Sequence, residues 1–398
     1  MRSRFLIVCL ALLCAGLCAD EIPLRVFGVA PGVLPQIKVR LSTNDPALNA
    51  ARKKLTADAA KALQITPPSV MDKPRAGASG DKHDYLSQAP YFWPDPTKPD
   101  GLPYVRKDGE RNPESYNESS DAPRLNRMAD TAETLALAFY FVGNETFAMH
   151  AAKLLRVWFL DPATRMNPNF DQAQAVPGVN TGRGIGMIES RSLTSVGDAV
   201  GLLAASTNWT ARDQTGMEKW MGEFLVWAQT SKNGKDEAGA KNNHGSWYDV
   251  QIAHLALFVR DTNLAHRIVT AAKEKRIAVQ IKPDGSQPLE LTRADSFGYS
   301  RFNIEALFAL ATLGEHVGVD LWHFKTSDGA SLRQAFDYLV PYVEDLEKPW
   351  PHDKGRKAQR TLGSVTHRAY FVYQDERYAA LWKKSPDWQR QRDMLLIP

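Results

Sequence analysis

The sequence predicts an all-α protein, a single domain built as an irregular ring of helical hairpins. Three observations support this prediction. Apolar residues recur at the three- and four-residue spacing of a helix face in about ten segments. Strand signals are confined to two short β-branched stretches. With 398 residues, 43% of them hydrophobic and 24% charged, the chain can bury a substantial core and lacks the composition of a disordered protein.

Residues 1–19 have the layout of a secretory signal peptide. Two arginines precede the apolar run 5–13, and small residues lead to a cleavage site near Ala19. The run is too short for a permanent membrane span, which needs about 20 apolar residues. We therefore expect a mature domain of residues 20–398 that is secreted or periplasmic, with no membrane partner.

Cysteine usage and charge exclude several classes of function. All three cysteines, Cys9, Cys14 and Cys18, lie in the signal segment, so the mature chain has no disulfide and no thiol nucleophile. Histidines are scattered and no His-Glu-x-x-His motif occurs, so we expect no metal and no other cofactor.

Removal of the signal takes away two arginines and no acidic residue, which lowers the formal net charge from +4 to +2. This charge is too small to indicate a nucleic-acid partner.

The helices are predicted in chain order from their apolar spacing and their caps. The clearest pair begins at 123–141, after Asp121 as a predicted N-cap, and turns at Gly143 into a second helix capped by Asn144. A tight turn between two amphipathic helices gives an antiparallel hairpin. Further helical segments are predicted at 44–64, 189–206, 209–230, 246–259, 262–278, 301–315, 331–346 and 367–383.

Two short strands and two long connections complete the predicted elements. The strands are 25–29 and 278–281. The connections 66–118 and 161–186 far exceed the usual loop of about four to six residues, and loops of such length are usually functional or disordered. The first connection is rich in aromatic residues, which disordered linkers lack. We therefore expect it to form an ordered lid or cleft wall.

The strongest candidate for a functional site is the sequence Asn-Asn-His-Gly-Ser-Trp-Tyr-Asp, which begins at Asn242. It places the amide of Asn243 beside the imidazole of His244, and two aromatic rings, Trp247 and Tyr248, follow as candidate substrate contacts. An asparagine here also fits the N-cap of a helix. The two interpretations are compatible, because a helix start presents N–H groups and partial positive charge to a bound carboxylate.

About fifty residues later, Arg293 precedes Tyr299 by six positions. An amide, an imidazole, a guanidinium and a phenol are the groups that β-elimination on a uronate requires. The reaction removes the weakly acidic C5 proton and expels the C4 oxygen, so charge moves onto the C6 carboxylate and must be stabilised there. We assign this role to Asn243, assisted by His244 or Arg293, and assign Tyr299 as the acid.

The identity of the base depends on the sugar. In mannuronate and glucuronate the C5 hydrogen and the C4 oxygen lie on one face, so Tyr299 could act as both base and acid. In guluronate they lie on opposite faces, and neutral His244 becomes the natural base. Both assignments remain open from the sequence.

Five further residues are candidates for binding the sugar chain. The faces of Tyr85 and Trp93 suit stacking on sugar rings, and His83 suits a carboxylate. A loop that packs onto the helices through its own aromatic residues would explain the same segment. A later glycine-rich stretch lacks the strand and the Gly-Lys-Ser/Thr ending of a phosphate loop. We interpret it as a wall that brings Asn180 and Arg183 close to a sugar carboxylate.

Together these motifs resemble the alginate lyase superfamily of all-α polysaccharide lyases, which includes mannuronate, alginate and glucuronan lyases. The likeness covers roughly residues 80–310 and rests on the Asn-His pair, the tryptophan three residues after it, and the later Arg293 and Tyr299. It implies an incomplete (α/α) toroid acting on an anionic polysaccharide, and we expect a monomer. The Arg-to-Tyr interval is one residue shorter than in the mannuronate lyases, so the resemblance implies the reaction rather than the particular uronate.

Two other functions are open at this point. A glycoside hydrolase on the same toroid needs two carboxyl groups about 5 to 10 Å apart. The candidates are Glu189, Asp249, Glu290 and Asp295. Such an enzyme would give products without unsaturation and would keep its activity in Tyr299→Phe. A non-catalytic glycan-binding protein would keep the aromatic residues and show no turnover.

Overall fold

The computed structural model describes residues 24–354 and 360–397. The signal segment expected at residues 1–19 lies outside the described residues. Within the described ranges, no helix combines the length and the apolar character needed to cross a membrane. The all-α prediction is confirmed, and the helices form the single-domain toroid that the resemblance implied.

Helices account for most of the described chain and are joined mainly by short connections. They are α1 (Val33–Ser42), α2 (Pro46–Ala62), α3 (Ala122–Val142), α4 (Glu145–Leu155), α5 (Ser192–Leu203), α6 (Ala211–Thr230), α7 (Lys232–Ala238), α8 (Asn243–Phe258), α9 (Thr262–Ala272), α10 (Ala278–Gln280), α11 (Pro288–Leu291), α12 (Ser296–Val317), α13 (Leu332–Leu339), α14 (Pro341–Glu344), α15 (Val365–Tyr373), α16 (Glu376–Lys383) and α17 (Asp387–Met394). Tighter 3-10 turns occur at Val70–Asp72, Pro113–Tyr116 and Gly184–Arg191, and π turns at Arg156–Leu160 and Lys273–Ile277.

The hairpin of α3 and α4 shows how local sequence produces this architecture. α3 ends at Gly143, whose φ of 77° lies in the left-handed region that glycine adopts without strain. Asn144 then caps α4, because its side chain accepts a hydrogen bond from the main-chain N–H of Thr146 at 2.9 Å. Both features agree with the prediction. α3 also packs against α2 and α5, which joins the hairpin to the ring.

Asp121 does not cap α3 with its side chain, contrary to the prediction. Its buried carboxylate instead accepts hydrogen bonds from Nζ of Lys73 and from the main-chain N–H of Leu86, both at 2.9 Å. Lys73 is fully buried and also donates to the main-chain oxygens of Val70 and Lys82 at 2.7 Å. This ion pair therefore fixes the first long connection against the start of α3.

Replacing Lys73 by methionine should lower the free energy of unfolding by about 3 kcal/mol, because it leaves the buried carboxylate of Asp121 with only Arg124, at 3.5 Å, as a charge partner. Burial already raises the pKa of Asp121, and the nearer charge of Lys73 opposes that shift. The control Lys54→Met breaks an exposed pair with Asp58 and should cost at most about 1 kcal/mol. Urea unfolding of both variants followed by circular dichroism measures the difference. Equal small losses would contradict a stabilising role for the buried pair.

The two long connections are ordered and pair with one another. β1 (Leu86–Gln88), in the first connection, pairs in parallel with β4 (Gln172–Ala175), in the second. β2 (Phe92–Trp93) pairs with β3 (Val105–Arg106) as an antiparallel hairpin, referred to below as the β2–β3 hairpin. The first connection is thus ordered, as expected, and its hairpin is the part that reaches the candidate site.

The two predicted strands are wrong. Residues 278–280 form α10, because α9 continues into them through a π turn. A short β-branched run can belong to either a strand or a buried helix, and here the helix prevails. Residues 25–29 pair with no strand, and the main-chain N–H groups of Phe27 and Gly28 donate to the carboxylate of Asp198 at 2.7 and 2.9 Å.

α8 lies between α5, α6, α7, α9 and α12 and is buried on almost every side. A helix enclosed in this way has no polar outer face, so its buried polar side chains need partners inside the fold, as Asp249 has in Arg276. The sequence nevertheless located it, with a start three residues later than the one observed at Asn243. Because its body is packed on all sides, the first turn of α8 is a rigid platform for the side chains it carries.

Candidate active site

The first turn of α8 holds Asn243 in a fixed orientation. Asn242 caps the helix, since its side-chain oxygen accepts from the main-chain N–H of His244 at 3.3 Å. Asn243 is fully buried; its main-chain N–H donates to Oε1 of Glu290 and its Nδ2 donates to Oε2, both at 2.7 Å. Its Oδ1 is buried without a hydrogen-bond partner. The amide is therefore anchored through its nitrogen side by one carboxylate.

His244 lies beside Asn243 and is oriented by a second buried carboxylate. Its Nδ1 lies 2.8 Å from Oε1 of Glu237, a residue of α7 with no exposed surface. A carboxylate accepts hydrogen, so the proton of the neutral imidazole resides on Nδ1 and Nε2 is left as a proton acceptor. Glu237 could not be predicted from the sequence, because a glutamate in a short polar helix carries no signal that it faces a histidine seven residues later.

Arg293 lies between α11 and α12 and is bound by Asp108, which follows β3 by two residues. Its Nη2 and Nε donate to the two oxygens of Asp108 at 2.8 and 3.3 Å, and the main-chain N–H of Ala294 donates to the same carboxylate at 3.1 Å. Partial burial raises the pKa of Asp108, but these hydrogen bonds and the arginine charge outweigh it and lower the pKa to about 2. Asp108 is therefore an anion at neutral pH, and the pair holds Arg293 in place.

Tyr299 lies in the first turn of α12, directly against Arg293. The guanidinium carbon is 3.6 Å from the centre of the phenol ring. The hydroxyl of Tyr299 is 2.8 Å from the hydroxyl of Tyr91, which precedes β2. Burial raises the pKa of Tyr299 well above its usual value, the bond to Tyr91 raises it further, and Arg293 offsets only part of this shift. The phenol is therefore protonated at neutral pH.

Arg183 and the β2–β3 hairpin meet on another side of this region. The guanidinium carbon of Arg183 is 4.9 Å from the centre of the Phe92 ring, and Nη2 donates to Oε1 of Gln174 at 2.8 Å. Burial lowers the pKa of Arg183 to about 10, which still leaves it charged at neutral pH. Its Nε is buried without a partner. Asn180 is exposed in the preceding turn, where its Oδ1 accepts from the main-chain N–H of Val176 at 3.1 Å.

Of the aromatic candidates, the structure leaves the rings of Trp93 and Trp247 partly exposed. Trp93 donates its Nε1–H to the main-chain oxygen of Glu110 at 2.9 Å. Trp247 lies against Phe302 with 5.1 Å between ring centres, and its Nε1 is buried without a partner. Both rings can offer an apolar face to a sugar.

The structure contradicts two of the expected substrate contacts. Tyr85 is fully buried, stacks on Phe170 at 4.0 Å and donates its hydroxyl hydrogen to Glu189 at 2.8 Å. Tyr248 is only 6% exposed and donates to the main-chain oxygen of Ala228 at 3.2 Å. Both rings serve the core: Tyr85 turns inward just before β1, and Tyr248 faces inward on α8. His83 is half-buried and its Nδ1 lies 2.6 Å from the main-chain oxygen of Arg165, so its role in binding stays a prediction.

The four carboxyl groups considered for hydrolysis all have local partners. Glu189 accepts from Tyr85 and Ser87, and Glu290 from Asn243. Asp249 forms an ion pair with Arg276 through both of its oxygens, at 2.8 and 3.0 Å. Asp295 caps α12, because it accepts from the main-chain N–H of Gly298 at 3.0 Å. Within the described ranges, no group of three or more His, Cys, Asp or Glu side chains is placed to hold a metal ion.

Comparisons with known proteins identify the family and the fold of the chain. The sequence matches the family Alginate lyase over residues 69–350. A crystal structure of an alginate lyase from Bacteroides ovatus shares 39% identity with a TM-score of 0.88, and the match covers 94% of this chain and 99% of that one. Alginate lyase A1-III from Sphingomonas species A1 shares 17% identity with a TM-score of 0.58 over 88% of this chain and 94% of that one, which shows a common fold. No curated protein sequence matches the chain.

Proposed function

Because this chain belongs to the alginate lyase family and is therefore a polysaccharide lyase, we propose that it cleaves 4-linked uronic-acid polysaccharides of the alginate type by β-elimination. The products carry 4,5-unsaturated uronate ends. One arrangement carries this proposal: Glu290 accepts from Asn243 in the first turn of α8, where His244 is the next residue. Three residues after Glu290, Arg293 lies against the ring of Tyr299. Amide, guanidinium, imidazole and phenol thus surround one site. The name of the relative from Bacteroides ovatus supports alginate as the first substrate to test.

The anionic intermediate needs donors that are already in position. As the C5 proton leaves, negative charge spreads onto the C6 carboxylate, and fixed donors lower the barrier because they bind this charge more strongly than they bind the ground state. Asn243 has no exposed surface without a substrate, so the side chains around it must move before the second hydrogen of its anchored Nδ2 can reach the sugar. Arg293 offers its Nη1, which takes no part in the contacts with Asp108. We assign both residues to the carboxylate.

Tyr299 is suited to be the acid that protonates the departing C4 oxygen. Its raised pKa keeps the hydroxyl protonated, and the bond to Tyr91 gives that hydroxyl a fixed neighbour. Because Arg293 lies on the ring, the positive charge also stabilises any phenolate formed in the transition state.

His244 is suited to be the base for guluronate, where the C5 hydrogen and the C4 oxygen lie on opposite faces. Its bond to Glu237 places the proton on Nδ1 and leaves Nε2 to accept hydrogen. For mannuronate and glucuronate, a single tyrosine could remove the C5 proton and then donate it to the departing C4 oxygen. To act as the base, Tyr299 must first lose its own proton, which its raised pKa disfavours at neutral pH. The two routes therefore use the same residues in different protonation states.

Sugar rings on either side of the reacting residue need further contacts. We propose that Trp93 and Trp247 stack on sugar faces, and that Arg183 and Asn180 bind carboxylate and hydroxyl groups. The buried and unpartnered Nε of Arg183 supports this, because a buried donor without a partner is costly unless a ligand or water satisfies it.

The direct test is the ultraviolet absorbance of the new C4=C5 double bond during reaction with polymannuronate, polyguluronate, glucuronan and polygalacturonate. We expect absorbance to rise with the alginate blocks. A rise with glucuronan alone would identify glucuronan as the substrate and would still support β-elimination. New reducing ends without a rise in absorbance would reject elimination and favour a hydrolase. No cleavage of any of these substrates would favour a binding protein.

We also propose that the enzyme is secreted or periplasmic and works as a monomer. The proposal of export rests on the charged, apolar and small-residue layout of residues 1–19. Export of a polysaccharide lyase suits a polymeric substrate that cannot enter the cytoplasm. A mature protein that begins near residue 20 by mass spectrometry would support export, and an uncleaved chain would contradict it.

A further inference from the structure

We propose that Glu290 is a positioning residue of the reaction, which holds the side-chain amide of Asn243 in the orientation that donates to the substrate carboxylate. The inference rests on the proposed function, because it assigns to Glu290 a role exerted through Asn243. In the sequence, Glu290 was one of four carboxyl groups considered for hydrolysis. In the structure, both of its oxygens accept hydrogen bonds from Asn243.

The contact between Glu290 and Asn243 is specific in its geometry. One oxygen accepts from the main-chain N–H and the other from Nδ2, both at 2.7 Å. The two donors thereby fix both the start of α8 and the rotation of the side chain about its last bond. Glu290 is 1% exposed and Asn243 is fully buried, so water does not compete for these bonds. Bonds from neutral donors to a carboxylate are about twice as strong as those between neutral groups.

The chain around Glu290 is built to keep it in place. Gly285 has a φ of 86°, and a Cβ there would lie 2.0 Å from the main-chain oxygen of Gln334, so the turn before α11 needs glycine. Gln287 then donates through Nε2 to the main-chain oxygen of Ser300 at 3.0 Å and accepts from Nδ2 of Asn303 at 2.7 Å. These buried bonds tie α11 to α12 and fix Glu290 against the start of α8.

Glu290 also links the two residues assigned to the substrate carboxylate. It lies three positions before Arg293 on the same short segment. Burial raises the pKa of Glu290, while the two hydrogen bonds from Asn243 and the charge of Arg293 act in the opposite direction. The two bonds from Asn243 therefore favour the carboxylate form that accepts them.

The test is Glu290→Gln, which keeps the shape and removes one acceptor oxygen. The new NH2 group cannot accept from Asn243, so the amide of Asn243 must turn over and present its oxygen, which withdraws a donor from the substrate. We expect kcat to fall by about 10² with KM nearly unchanged, the loss typical of removing one donor to a developing anion. Asp198→Asn is the matched control, because that carboxylate on α5 likewise accepts two main-chain N–H groups, those of Phe27 and Gly28. It contacts α8 at His254, far along the helix from the site. This variant should leave kcat unchanged.

A double-mutant cycle separates positioning from general loss of structure. In the background of Asn243→Ala, Glu290→Gln should cause little further loss, because its target is gone. Losses in kcat that multiply in the double variant would overturn the inference. If Glu290→Gln does not fold, Glu290→Asp, which keeps the charge and withdraws the carboxylate by one methylene, replaces it in the same cycle.

A measurement that does not depend on turnover keeps the inference separate from the proposed function. With ¹⁵N-labelled asparagine, the side-chain amide signal that disappears in Asn243→Ala identifies Asn243 in the spectrum. We expect that signal to shift in Glu290→Gln and to stay in place in Asp198→Asn. An unshifted signal would overturn the positioning role. Failure of the wild-type protein to produce unsaturated ends would reject the proposed function alone.

Discussion

Tyr299→Phe should reduce kcat on every uronan substrate by about 10² to 10⁴, the range expected for loss of a positioned general acid. The C4 oxygen would have to leave as an alkoxide, because no proton is delivered to it. The phenylalanine ring keeps its contact with Arg293, so binding and folding should change little. Initial rates from ultraviolet absorbance, with KM determined separately, measure the effect.

The matched control for this substitution is Tyr378→Phe. Tyr378 is also buried, its hydroxyl donates to Asp337 at 2.5 Å, and it lies on α16, which forms none of the candidate site. Loss of this hydroxyl should lower the stability of the fold and leave kcat unchanged. A Tyr299→Phe enzyme with wild-type kcat would reject Tyr299 as the acid and would reopen the hydrolase interpretation.

If Tyr299 is the acid, its pKa predicts how the activity of the enzyme depends on pH. Burial raises this pKa above its ordinary value near 10, so the acid stays protonated through neutral and mildly alkaline pH. On polyguluronate, kcat/KM should therefore show no decline from loss of this proton between about pH 7 and 10. On polymannuronate, where Tyr299 would have to lose its proton to act as the base, activity should rise with pH over the same interval.

His244→Asn should separate the substrates from one another. The asparagine Nδ2 occupies nearly the place of the imidazole Nδ1 and can still donate to Glu237, whereas the position of Nε2 becomes empty. Activity on polyguluronate should fall by about 10² to 10⁴, because the base has been removed. Activity on polymannuronate and glucuronan should fall much less, since Tyr299 can serve both roles there.

The control for this variant is His323→Asn. His323 is exposed, and its Nδ1 lies 2.8 Å from Asp320, so it reproduces the histidine-carboxylate pair away from the site. Its rates should equal those of the wild type. Equal losses on all uronans in His244→Asn would show that His244 binds the substrate rather than removing its proton, and undiminished cleavage of polyguluronate would reject it as the base.

The fold was largely predictable because its signals are local. Helix faces depend on residues three or four apart, and caps and turns on neighbours, so the α3–α4 hairpin could be located from its Gly-Asn junction. The start of α8 at the Asn-Asn-His sequence was recognisable for the same reason. The errors occurred where local signals are ambiguous, as in the β-branched run that became α10.

Residue type and short-range spacing were enough to predict the all-α class, the hairpins and the four residues proposed for elimination. The partners of those four residues became visible in the folded structure alone. Tyr91 meets Tyr299 across 208 positions and Asp108 meets Arg293 across 185. No local pattern encodes such separations. Burial is likewise a property of the whole packed fold, which is why Tyr85 belongs to the core and why Glu290 became the support of Asn243 rather than an acid of a hydrolase.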